Sequence, residues 1–159
     1  MSGPAAGKYA RFELERRFLL EGVPEGVGPP NRIIDRYLTG TRLRLRRQDS
    51  PEQYKLSQKE APAAPDYATT VITTIYLSPE EYAVLAVLPG RELRKRRYHR
   101  GQYAIDVFEG DLAGLILAEV TFESDAEMRA HPLPDFAVRD VSEDVRYTGG
   151  ALAFDGLPA

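Results

Sequence analysis

At 159 residues, 43% hydrophobic and 28% charged, the chain has the make-up of a folded globular protein, which excludes a disordered tail, a collagen repeat or a coiled coil. It has no cysteine and two histidines, His99 and His131, which excludes disulfides, thiolate nucleophiles and zinc centres built on sulfur or imidazole; any metal must be held by oxygen. A net charge of -3 gives no general attraction for nucleic acid, no apolar run approaches the ~20 residues of a membrane span, and the opening MSGPAAGKYARFELE lacks the apolar region of a signal peptide. A cytoplasmic protein without nucleic-acid or membrane partners is expected.

Most of the chain alternates in period two. Residues Arg11 to Leu20 read as a strand with Glu13, Glu15 and Arg17 on one face and Leu14 and Phe18 on the other. After the loop Gly22 to Pro30, strands are expected at Arg32 to Leu38, Arg42 to Arg47 and Gln53 to Lys59. Arg42, Arg44 and Arg46 share a face, as do Lys55, Ser57 and Lys59. A short loop at Ala61 to Pro65 leads to a strand at Tyr67 to Leu77.

Ser78, Pro79 and Glu81 give the cap, first-turn proline and capping-box acid of a helix that stops at Pro89 and Gly90. Strands follow at Glu92 to His99, with Lys95 and Arg97 on one face, at Gln102 to Phe108 and at Leu115 to Phe122, where Glu119, Thr121 and Glu123 line up. Ser124 to Glu127 repeats the capping-box spacing before a helix of one or two turns that Pro132 ends. About eight strands joined by short turns indicate an α+β, mainly antiparallel β domain over residues 8–157.

A charged strand face is ordinarily a solvated one. Here the faces are segregated by sign, with carboxylates on the first and last strands and bases between, and a row such as Arg42, Arg44 and Arg46 is self-repelling unless an anion or an acid lies among its members. Eight antiparallel strands can close into a barrel. The charged faces then point either into the lumen or to solvent, and spacing leaves both open. A basic lumen with an acidic corner would suit a phosphate chain and an oxygen-loving divalent ion. Neither GxxxxGK[ST] nor GxGxxG occurs, so side chains would have to grip the anion.

FELERRFLL at Phe12 to Leu20 resembles the ExExK signature of the CYTH superfamily, the triphosphate tunnel metalloenzymes. RLRLR at Arg42 to Arg46, the strand ending at Lys59, LSPEEY at Leu77 to Tyr82, RKRRY at Arg94 to Tyr98, AIDVFEGDLAGL at Ala104 to Leu115, AEVTFES at Ala118 to Ser124 and SEDVRYTGGALA near the C-terminus follow in the family's order. The resemblance spans Phe12 to Ala153 and implies an eight-stranded closed tunnel barrel with a charged lumen and a few outer helices. It implies that Glu13, Glu15, Glu119 and Asp144 hold Mg2+ or Mn2+, that Arg42, Arg44, Arg46, Lys59, Lys95 and Arg97 hold the triphosphate, and that Lys59 and Arg17 act in catalysis.

The implied activity is metal-dependent hydrolysis of inorganic tripolyphosphate or an organic triphosphate. The alternatives are a class IV adenylate cyclase and a non-catalytic polyphosphate or nucleotide binder; a homodimer is among the assemblies implied. The departures are Arg17 in place of the lysine of ExExK, Thr121 where a second glutamate is common, and Val145 in place of a base. Lys55 is expected at the tunnel mouth and His99 at the surface. Asp106 is expected to pair with a lumen base, and Tyr37, Tyr54, Tyr76, Tyr98 and Tyr103 to pack barrel and helix edges.

Overall fold

A computed structural model describes residues 7–60 and 68–159. The expected loop at Ala61 to Pro65 and the first residue, Tyr67, of the strand expected after it lie outside the described residues. Eight strands, β1 (Arg11–Leu20), β2 (Asn31–Leu38), β3 (Leu43–Asp49), β4 (Glu52–Glu60), β5 (Thr69–Leu77), β6 (Gly90–Arg100), β7 (Tyr103–Phe108) and β8 (Ile116–Phe122), run in the order β5-β4-β3-β2-β6-β7-β8-β1. Pairing of β5 with β1 closes the barrel, and every pairing is antiparallel. The first half of β1 pairs with β5 and the second with β8. A two-residue strand, β9 (Arg139–Asp140), adds to β1 opposite Leu19 and Phe18.

Helix α1 (Pro79–Leu85) starts as its sequence dictates. Glu81 N donates to Ser78 Oγ at 3.1 Å and Ser78 N donates to Glu81 Oε1 at 2.8 Å, which satisfies two otherwise orphaned amides. Ser124 caps α2 (Asp125–Ala130) by accepting from Glu127 N. A third helix, α3 (Gly149–Asp155), capped by Thr148, and two 3-10 turns at Gly110–Leu112 and Val145–Tyr147 escaped the sequence reading. Two glycines opening α3 argue against a helix on propensity; burial of Leu152 outweighs them. Among the described residues no helix is long and apolar enough to cross a membrane.

The apolar faces of the strands turn outward on one side of the barrel only. Phe18, Leu20, Ile105, Ala118 and Val120 form an outer cluster under Tyr103, Phe136 and Ala137. Leu93, Phe108 and Leu117 have the inward parity instead, and with Tyr147 and Leu152 they fill one part of the lumen with hydrocarbon. The interior is therefore divided into an apolar portion and a charged one.

Gly90 shows how tightly the sheet is drawn at that portion. A Cβ there would lie 2.5 Å from the Tyr37 carbonyl oxygen on β2. Gly90→Ala is expected to cost about 1–3 kcal/mol, because the obstacle is backbone rather than a side-chain tip. Urea denaturation checks this, and an unchanged midpoint would contradict it.

Candidate active site in the barrel lumen

The lumen encloses a cavity of about 530 Å³. Period two brings to it Glu13, Glu15 and Arg17 from β1, Arg42, Arg44 and Arg46 from the β3 strand and the turn before it, Lys55, Ser57 and Lys59 from β4, Lys95 and Arg97 from β6, and Glu119 from β8. The ionised faces thus converge inside. Two buried aspartates join them. Asp35 lies directly opposite Arg46 in register and Asp106 opposite Arg97.

These aspartates settle much of the internal charge. Arg46 donates to both Asp35 oxygens at 2.7 and 2.8 Å. Arg97 donates to both Asp106 oxygens at the same distances, and Lys95 Nζ lies 2.9 Å from Asp106. Burial alone would push both carboxyls up, but Arg46 beside Asp35, and Lys95 and Arg97 beside Asp106, hold them well below the usual carboxylate range.

The acidic corner is similarly engaged. Lys59 Nζ lies 2.7 Å from Glu13, and Arg17 spans two acids, 3.0 Å from Glu15 and 3.4 Å from Glu119, which also meets Arg97 at 3.4 Å. Burial, then the neighbouring Glu119, push the Glu15 carboxyl up. Burial works the same way on Glu119, but Arg17, Lys95 and Arg97 bring it down to about 2. Lys59 is held protonated because Glu15 and Glu13 outweigh its burial.

Three oxygen donors of this hardness suit Mg2+ or Mn2+, and repulsion between Glu15 and Glu119 is what a divalent ion would relieve. Among the described residues no three acids or histidines converge closely enough to enclose an ion. The donor type fits such an ion, while the three acids themselves are engaged by Lys59 and Arg17.

Two lumen cations stand apart. Arg44 reaches Ser57 Oγ at 3.3 Å, but its Nε is buried without a hydrogen-bond partner and Asp35 is 4.0 Å away. Lys55 has no acid within ion-pair reach among the described residues; it lies over the Tyr76 ring, 5.6 Å from the centroid. An unsatisfied buried donor is costly, and an anion would supply its acceptor.

Not every candidate is brought to the cavity. Asp144 lies outside it, capping the 3-10 turn at Val145–Tyr147 and accepting from Arg146 Nη2 at 2.7 Å. Thr121, opposite Glu15 in register, is exposed, as is Glu123 beyond the strand end, and neither lines the lumen. His99 is exposed, in line with its expected surface position. Tyr37 lines the lumen instead of packing at an edge. Asp35 was missed; it shares a face with Ile33 and Tyr37 on β2.

No family model matches the chain. An inorganic triphosphatase of Nitrosomonas europaea is 31% identical over 151 residues, which span 89% of this chain and 96% of that protein. The crystal structure of an inorganic triphosphatase superposes with a TM-score of 0.62 at 27% identity, covering 92% of this chain and 97% of the other. A Pyrococcus horikoshii protein shares the fold at 15% identity, with a TM-score of 0.50 over 74% of this chain and 83% of its own.

Proposed function

The chain belongs to the CYTH superfamily of triphosphate tunnel metalloenzymes, and from that premise we propose that it is a triphosphatase that hydrolyses inorganic tripolyphosphate with Mg2+ or Mn2+. The carrying observation is the buried, unpartnered Arg44 Nε in a lumen that also holds Glu13, Glu15 and Glu119. Arg44, Arg42 and Lys59 bind the phosphate chain. Arg46 and Arg97 have both fork positions filled by aspartates, so with Lys95 they supply positive field more than new contacts.

Glu13, Glu15 and Glu119 would hold the divalent ion, which when bound neutralises phosphate charge and favours attack by water. A water oxygen would bond to the terminal phosphorus as the anhydride P–O bond breaks, the bonding pair leaving on diphosphate and the proton lost by the water passing to solvent. The protonated Lys59, 2.7 Å from Glu13 at the acidic corner, would receive that developing charge, and Arg17 compensates the carboxylates.

Purified protein is expected to release orthophosphate from tripolyphosphate with Mg2+ or Mn2+ and to stop in EDTA. Arg44→Ala should raise KM about tenfold or more, the worth of one charge-assisted contact. No turnover with either metal would overturn the proposal. Arg17 spanning Glu15 and Glu119 favours a second reading, an anion binder without turnover; calorimetric binding of tripolyphosphate with no orthophosphate released would establish it.

A further inference from the structure

The cations of the tunnel wall are unequally partnered. Lys59 faces Glu13, and Arg42 pairs with Glu60 at the mouth on its side. Two residues apart on the same β4 face, Ser57 is buried and bonded to Thr74, and a further two residues on comes Lys55. The Lys59-to-Lys55 row spans about 13 Å at the usual rise of a strand. A triphosphate seated on Arg44 and Lys59 uses one half of that row and leaves Lys55 uncovered.

Lys55 is surrounded by charge of its own sign. After burial, the influences that pull its ammonium below the ordinary lysine range are Arg46, Arg44, Arg97 and Arg11. Arg11 lines the same cavity, is exposed, and has no ion-pair partner among the described residues. Tyr76, opposite Lys55 in register, is 66% exposed and marks this end of the row as open to solvent. Lys55 at this open end and Arg11, the first residue of β1 and a lining residue of the same cavity, have no acid partner among the described residues and form a place for anionic charge beyond a triphosphate.

We propose that Lys55 and Arg11 form an outer anion subsite at the Tyr76 mouth, which takes the further phosphates of a linear polyphosphate longer than tripolyphosphate. This rests on the triphosphatase reading, from which it is separable by experiment. The test compares kcat/KM for tripolyphosphate, hexapolyphosphate and ATP in the wild type, Lys55→Gln, Lys55→Arg and Arg11→Gln, with calorimetric titration of both polyphosphates in parallel. Lys55→Gln should lower the hexapolyphosphate value about tenfold more than the tripolyphosphate value, through KM, as expected for loss of one charge-assisted contact. Lys55→Arg should restore most of it, and Arg11→Gln, at an exposed position, should shift the ratio in the same direction.

An equal fall for both polyphosphates, or a fall selective for ATP, overturns the subsite. The latter would assign the Tyr76 mouth to an organic group. If wild-type protein turns over nothing, the triphosphatase reading fails, and the titrations decide the subsite alone: hexapolyphosphate must bind more tightly than tripolyphosphate, and Lys55→Gln must erase that difference.

Discussion

Glu15→Gln is expected to lower kcat for tripolyphosphate hydrolysis by about 10²–10³-fold, a magnitude usual for removing one preorganised electrostatic element, while the melting temperature stays within about 4 °C of wild type, the equivalent of roughly 1 kcal/mol. The asymmetry follows from the surroundings. Glu15 is half-buried beside Glu119 and Glu13, both of which disfavour its ionised form. Removing its charge relieves that repulsion, and Arg17 keeps Glu119 as a partner. Function loses a carboxylate that would face the metal; the fold loses little. Circular dichroism and thermal melting beside the phosphate assay check both halves. Normal turnover would remove Glu15 from the reaction, and collapse of the fold would mark it as structural.

The Arg17 contacts bear on the same point. In this chain the basic position after Glu13 and Glu15 in the β1 row is a forked guanidinium, and it spans Glu15 on its own strand and Glu119 on β8, where an ammonium would have a single point of contact. The guanidinium that departs from ExExK thus bridges Glu15 and Glu119.

What the sequence made legible was set by periodicity. Strand faces repeat every two residues, so the alternation in Arg11 to Leu20 and Arg42 to Arg46 was enough to group Glu13 with Glu15 and Arg42 with Arg44. Whether those faces pointed in or out depends on what covers the other side. Here that is partly the 136–137 segment, which has no periodic signal. Registers across strands were equally hidden, so Asp35 opposite Arg46 could not be seen until β2 and β3 were paired. The apolar part of the lumen was missed because Leu93, Phe108 and Leu117 share parity with charged neighbours. They are buried by Tyr147 and Leu152, from a region whose helix opens on two glycines.

Asp106→Asn should have the largest effect on stability. The carboxylate is fully buried, accepts both Arg97 hydrogen bonds and lies 2.9 Å from Lys95 Nζ. Asparagine keeps the shape and removes the charge, which leaves Lys95 with only the more distant Asp35 at 4.0 Å and Arg97 with only Glu119 at 3.4 Å, beside Arg46. The cost of breaking such a buried pair from one side is about 3–5 kcal/mol, or roughly 6–20 °C in melting temperature for a chain of this size.

The pH dependence has a definite sign. A carboxyl whose folded pKa is depressed contributes stability above its unfolded value, about 3.9, and loses it as pH falls through the folded value, which here lies well below the usual range. The gap between wild type and Asp106→Asn should therefore be full near neutrality and begin to narrow below about pH 4, since the variant has no such contribution to lose. Removing Lys95 as well, by Lys95→Met in the variant background, should recover part of the loss, because one of the stranded charges is then gone. A variant within about 1 kcal/mol of wild type at neutral pH would show that water reaches Lys95 and Arg97, and that the lumen near Asp106 is not the dry, charge-balanced wall its burial describes.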